Sequence, residues 1–232
     1  VEKSNPDIID INFGCPVKKV VSKGAGAGIL KDIDLMVSLT KAMVEHTKLP
    51  VTVKTRLGWD SDSIKIVEVA ERLQDVGCKA ISIHGRTRVQ MYKGEANWNF
   101  IADVKNDPQI QIPIFGNGDI DSPEKALKYR NEYGVDGIMI GRGIFQDPFA
   151  FAEKSPWLGM SREERIVLFK KHVLLHDEVF PDGQRPFSPL KKFAKVYISG
   201  FDGASDLRNQ IMQTESVPEA MAIVDANLYP AL

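Results

Sequence analysis

The sequence predicts an α/β fold, the last five βα units of a (β/α)8 TIM barrel followed by a small all-α helical domain, and three observations carry that prediction. Short β-branched runs alternate with amphipathic segments from residue 6 to about 147. Each run ends in polar or glycine-bearing residues, and past Pro156 only helical patterns remain. The strands fall at 7–13, 51–55, 80–84, 112–116 and 137–140, at the roughly thirty-residue spacing of a βα unit. Helices are expected between them at 33–47, 63–76, 98–105 and 122–133, the last opened by Ser122 with Pro123 at its first position.

A five-stranded doubly wound sheet is the competing architecture, but its phosphate loop follows the first strand. Here the strongest phosphate-type turns, Gly116-Asn117-Gly118-Asp119 and Gly141-Arg142-Gly143, come last, which favours the barrel. Five units do not close a barrel of eight. The sequence opens at Val1 without an initiator Met, so about three further units, roughly 90 residues, are expected upstream. The barrel part is assigned to 1–155 and the helical domain to 156–232. In the latter, Ser161 with Glu164 and Ser216 with Glu219 form capping boxes that open helices. Between them Leu190, Phe193, Ala194, Tyr197 and Ile198 make an apolar stripe, and Lys191, Lys192 and Lys195 lie within roughly a 100° arc away from it.

Composition narrows the function classes. With 232 residues, 43% of them hydrophobic and 26% charged, the chain can bury a large core. No apolar run approaches the roughly 18 residues of a membrane span, and no signal-peptide layout opens the chain, so a cytoplasmic protein with no membrane partner is expected. Cys15 and Cys78 are the only cysteines, and without CxxC or zinc spacing neither a disulfide framework nor a metal site is expected. His172 and His176 stand at i, i+4, but no Glu follows the first and no third ligand is near, so they read as a plain helix face. A net charge of −1 means that any polyanion-binding surface is local, such as segment 185–195, which has four basic residues and no acidic one.

The chemistry concentrates in Asp10-Ile11-Asn12-Phe13-Gly14-Cys15-Pro16-Val17-Lys18-Lys19, where a β-branched strand ends in a small, polar, thiol-bearing loop. A cysteine so placed is set to react rather than to pack, whereas Cys78, entering a strand among apolar neighbours, reads as packing. The backbone N–H groups of the two late glycine turns can converge on one anion, and Arg142 adds a planar charged fork. Lys54, in Val53-Lys54-Thr55-Arg56, points over the mouth, where a cation can hold developing negative charge. The run from Lys23 to Gly28 fits neither GxGxxG nor the Walker spacing and reads as shaping a loop beside Cys15.

In this order and spacing, Asn12-Phe13-Gly14-Cys15-Pro16, Val53-Lys54-Thr55-Arg56, Ile83-His84-Gly85-Arg86-Thr87, Asn117-Gly118-Asp119-Ile120 and Gly141-Arg142 resemble the tRNA-dihydrouridine synthases. The bacterial B-type branch looks closest, through Gly14-Cys15-Pro16-Val17-Lys18-Lys19-Val20-Val21 and Gly94-Glu95-Ala96. The resemblance implies an FMN-binding barrel with a helical tRNA-binding domain; a monomer is expected. NADPH would reduce FMN, hydride would pass to C6 of a flipped-out uracil, and Cys15 would protonate C5. By the same matching Lys54, His84, Asn117, Gly118, Asp119, Gly141 and Arg142 would hold FMN. Asn12, Arg56, Arg86, Lys18, Lys19, Lys191, Lys192 and Lys195 would face the substrate. One departure stands out: the alanine-proline-methionine-type loop and the glutamine that the family carries on early strands are absent. Two rivals remain, a flavin barrel acting on a free pyrimidine, as dihydroorotate dehydrogenases do, and a nonenzymatic RNA-binding fragment.

Overall fold

In the computed structural model residues 2–228 are described. The first compact unit runs to Gly143. Its elements in chain order are β1 (Ile9–Asn12), α1 (Lys18–Val21), α2 (Ile33–Glu45), β2 (Val51–Arg56), α3 (Ile66–Asp75), β3 (Ile81–His84), α4 (Asn99–Asn106), β4 (Ile114–Asn117), α5 (Pro123–Tyr133) and β5 (Gly137–Met139). All four strand pairings are parallel and the spatial order is β1-β2-β3-β4-β5. A doubly wound sheet must reverse direction at a switch point, and this sheet never does, so the winding is that of five successive TIM-barrel units.

The two faces of the sheet differ as the sequence alternates. Val53, Ile81, Ile83 and Ile114 are almost fully buried against Met36 of α2, Ile66, Val69 and Leu73 of α3, and Ile101 and Val104 of α4, and Val51 is buried as well. Each such side chain contributes on the order of 1.5–3 kcal/mol by leaving water. The other face carries Asp10, Asn12, Thr52, Lys54, Ser82 and Asn117, all half-buried or exposed. Thr52 Oγ1 donates to Asp10 Oδ1 at 2.7 Å across the β1/β2 pair.

Local chemistry fixes the helix ends. Asp32 accepts from the Leu35 N–H at 2.9 Å and opens α2. Ser122 accepts from the Lys125 N–H at 3.2 Å, Pro123 occupies the first turn of α5, and Gly134 ends it in the left-handed conformation at φ 66°. The first strand is shorter than predicted, Ile9–Asn12 rather than 7–13. The described pairing starts at Ile9, whose N–H bonds Pro50 O. The short helix α1 is an addition that the sequence pattern did not suggest.

The second unit, from Ile144 on, is helical: α6 (Arg162–Val179), α7 (Ser188–Lys191), α8 (Ala194–Tyr197), α9 (Ala204–Gln213) and α10 (Val217–Leu228). The Ser161 capping box forms, Glu164 N–H donating to Ser161 Oγ at 3.2 Å and Ser161 N–H to Glu164 Oε2 at 2.7 Å. Ser216 accepts from Glu219 N–H at 3.4 Å, while the Glu219 carboxylate takes the Glu215 N–H rather than that of Ser216. Ile166, Phe169, Val173, Ala194, Ile198, Leu207, Ile211, Ala220 and Val224 form its core. The single middle helix expected to carry the lysine face is instead α7 and α8 with a turn at Lys192-Phe193. Successive i→i+3 bonds, Leu190 N to Phe187 O, Phe193 N to Leu190 O and Val196 N to Phe193 O, tighten the chain there and change which side each lysine takes. His172 Nδ1 lies 3.0 Å from the Tyr197 hydroxyl.

Candidate functional site

Strand register assembles the site. Asn12 pairs with Lys54, Arg56 with His84, His84 with Asn117, and Asn117 with Met139, so five residues nominated from sequence occupy adjoining ladder positions at the strands' C-terminal ends. The Asn117 amide donates to Met139 O at 2.7 Å, which ties β4 to β5.

The cysteine loop is held from three directions. Asn12 Oδ1 accepts the Gly14 N–H at 3.0 Å, Arg56 Nε donates to Gly14 O at 2.8 Å, and the Ala27 N–H donates to Cys15 O at 2.9 Å. Gly26, at φ +55°, packs so closely that an added Cβ would lie 2.8 Å from Cys15 O and 2.9 Å from Cys15 Cβ. The glycine run therefore abuts the thiol loop. Cys15 is free and half-buried, whereas Cys78 is buried, its sulfur 3.3 Å from Ala80 O, and burial pushes its thiol up to about 11.

Cations gather around this loop. Arg56 is 3% exposed and spends Nη1 on the Thr87 and Met91 carbonyls at 3.1 and 2.9 Å. Burial lowers its guanidinium from the usual value, Arg86 and Arg142 push the same way, and Tyr92 and Cys15 oppose. Burial, with Arg56 beside it, brings the Lys54 ammonium down to about 8, Asp10 partly offsetting. Burial and the charges of Arg56, Lys54 and Arg86 bring His84 down to about 3, so its imidazole is neutral at physiological pH. Among the described residues none of Lys54, Arg56 and Arg142 forms an ion pair.

Arg86 and Asp119 are committed to each other. The Arg86 fork donates to both Asp119 oxygens at 2.7 and 2.8 Å, and also to the Lys93 and Gly94 carbonyls. Asp119 accepts the Ala96 N–H at 2.8 Å and itself adopts φ 57°. Burial alone would raise its carboxyl, but the Arg86 and Ala96 hydrogen bonds outweigh it and hold the pKa low. Trp98 Nε1 donates to Gly118 O at 3.0 Å, and a Cβ at Gly118 would meet Ala96 Cβ at 2.6 Å. Loop 93–97 is thus seated on the β4 turn.

Sequence reasoning did not single out Tyr92. Its ring has the Arg56 guanidinium 5.6 Å and the Arg142 guanidinium 4.3 Å from its centroid, so it links the ends of β2 and β5. The available signal was an aromatic residue, next to Met91, in a loop otherwise mostly polar. Lys18 and Lys19 are exposed on α1 immediately after the cysteine loop. Lys191, Lys192 and Lys195 belong to the other unit, where Lys191 Nζ donates to the Met212 and Thr214 carbonyls at the end of α9. Among the described residues no group of three or more His, Cys, Asp or Glu is placed to hold a metal, and no helix is long and apolar enough to cross a membrane.

The donor set suits an anionic planar cofactor such as FMN. Among the described residues Lys54 and Arg142 form no ion pair, and at Gly141 no atom lies within 4 Å of where a Cβ would sit, leaving its backbone approachable.

The model of the dihydrouridine synthase family matches residues 1–230. "Probable tRNA-dihydrouridine synthase 1" of Synechocystis sp. is 40% identical over 230 residues, covering 96% of this chain and 64% of that protein. "Probable tRNA-dihydrouridine synthase 2" of Bacillus subtilis is 43% identical over 223 residues, covering 94% and 66%. A "Probable tRNA-dihydrouridine synthase" of Staphylococcus aureus is 41% identical over 225 residues, again covering 94% and 66%. The chain thus spans about two thirds of the length of these relatives. A solved mandelate oxidase variant with (S)-mandelic acid, 15% identical, aligns over 93% of this chain and 73% of that one with a TM-score of 0.36, too loosely to bear on the fold. With its ordered strand-end motifs and a family model matched over nearly its full length, the chain belongs to the dihydrouridine synthase family.

Proposed function

We propose that the protein reduces uridine to 5,6-dihydrouridine in tRNA, in the cytoplasm, with Cys15 as the proton donor. The observation that carries this reading is the free, half-buried Cys15, its loop fixed by Arg56 at Gly14 O and by Ala27 at Cys15 O, beside Lys54, Arg56 and Arg142, which form no ion pair among the described residues. Lys54, His84, Asn117, Gly118, Gly141 and Arg142 would hold FMN, with Asp119 acting through the turn it braces. The chemistry that bound FMN, kept reduced by NADPH, supplies is hydride delivery to C6 of the uracil.

The chain's own residues do the rest. Asn12, its Oδ1 spent on the Gly14 N–H, turns its amide N–H2 toward the pyrimidine, and Arg56 offers the one guanidinium nitrogen that has no main-chain acceptor. Cys15 delivers its thiol proton to C5. Lys18 and Lys19, with Lys192 and Lys195 of the helical unit, meet tRNA phosphates, while Arg86 positions the loop rather than touching substrate. The division into a barrel that performs the reaction and a helical unit that grips tRNA belongs to the same reading. Cys15→Ala is expected to keep tRNA binding and to lose about 10²–10⁴-fold in dihydrouridine formation, scored by mass spectrometry of digested tRNA. Unchanged turnover removes the proton-donor role, and reduction of free uridine without tRNA turns the reading toward the free-pyrimidine rival.

A further inference from the structure

Three successive βα loops meet on one indole. Lys31, in the loop after β1, places Nζ 3.9 Å from the centroid of the Trp59 ring, and Arg88, in the loop after β3, places its guanidinium carbon 4.7 Å from it. Trp59 itself lies in the loop after β2, three residues past Arg56. The loops are also joined by main chain, Arg88 N–H to Gly58 O and Val89 N–H to Trp59 O, both at 2.9 Å. Lys31 ends the same segment whose Gly26 and Ala27 abut Cys15. The cluster therefore stands on the rim of the strand-end mouth, one loop turn outward from the thiol.

We infer that Lys31 and Arg88, ordered on Trp59, form a phosphate-binding rim site that takes the RNA backbone next to the uridine being reduced; the inference rests on the function proposed above. Two like charges gathered on one ring repel each other and lose rotamer freedom, a cost that a bound anion offsets. Neither cation has a carboxylate partner among the described residues, and Arg88 Nε is buried with no acceptor at all. The acidic residues nearest in sequence are engaged elsewhere: Asp32 accepts the Leu35 N–H, Asp60 accepts Ser63 Oγ at 2.7 Å, and Asp62 accepts Ser61 Oγ at 3.3 Å. Because the indole is already covered by cations, base stacking on it is disfavoured and phosphate is the group that the unfilled N–H donors suit. A base turned out of its stack needs its flanking phosphates pinned, and this site stands where such a pin is required.

The test is the salt dependence of tRNA binding, comparing the unaltered protein with the double variant Lys31→Gln, Arg88→Gln and with the charge-keeping pair Lys31→Arg, Arg88→Lys. Losing one phosphate contact is expected to flatten the slope of log K against log salt by about 0.7–0.9. The charge-keeping pair is expected to retain the original slope, which a purely structural role for the stack does not predict. A double variant with the original slope overturns the rim site alone. Failure of the unaltered protein to bind tRNA overturns the proposed function and the rim site together.

Discussion

Lys54 is the side chain on which the electrostatics of the strand ends turn. Its hydrogen bonding is slight, one long contact of 3.5 Å to Thr55 O, and burial brings its ammonium down to about 8. The sign of the pH dependence follows from that direction. Between about 8 and the usual 10.5 the unfolded chain holds the proton and the folded chain does not, so this group makes folding more favourable as pH rises through that window. An anion placed on Lys54 reverses the preference and draws a proton in. Binding of FMN near pH 8 is therefore expected to take up protons, measurable by calorimetry in buffers of different ionisation enthalpy, and the uptake should vanish in Lys54→Met. No uptake would mean that the anion lies elsewhere. Lys54, Cys15 and Arg56 were legible in the sequence because each sits at the end of a β-branched run. Tyr92 was not, because its importance comes from two arginines 36 and 50 positions away in the chain.

At the scale of elements, the loop after β3 is shaped by a buried ion pair rather than by its own sequence. Arg86 is 2% exposed and reaches Asp119, the Lys93 and Gly94 carbonyls, and through Asp119 the Ala96 N–H. Asp119→Asn isolates the charge, since asparagine tolerates the left-handed φ of 57° as well as aspartate does. Leaving the guanidinium without its counter-ion is expected to cost about 2–4 kcal/mol in urea unfolding, below the full penalty of a buried pair because Asp119 keeps some solvent contact. A loss under about 0.5 kcal/mol would show that the carbonyls alone hold the loop. Helix starts at Ser122 and Ser161 were readable from one side chain and its third neighbour, as capping is local. The break between α7 and α8 was hidden, because Leu190, Phe193, Ala194 and Tyr197 satisfy a 3.6-residue period whether or not the turns tighten. The Arg86–Asp119 brace was equally hidden, its partners standing just past the ends of neighbouring strands β3 and β4 but 33 residues apart in sequence.

For the molecule as a whole, the two units have separate hydrophobic cores, one around Ile83 and Leu73, the other around Phe169 and Ile211. Phe169→Ala is expected to cost the helical core about 3–5 kcal/mol. Hydrogen exchange followed by mass spectrometry should then show lost protection in α6, α9 and α10 while β2 to β4 keep theirs; equal losses in both would make the chain one cooperative unit. The α/β class was readable because parallel winding imposes a period of about thirty residues, and the strand order because the phosphate-type turns follow the last strands rather than the first. That same ordered winding has a further consequence. Asn12, Lys54, His84 and Asn117 come together only while every ladder keeps its pairing, and a one-residue slip of any strand would swing its contribution into the helix layer. Ligand occupancy at these strand ends is thus a reporter of correct sheet assembly, and any molecule that seats there acts in return as a pharmacological chaperone for the fold.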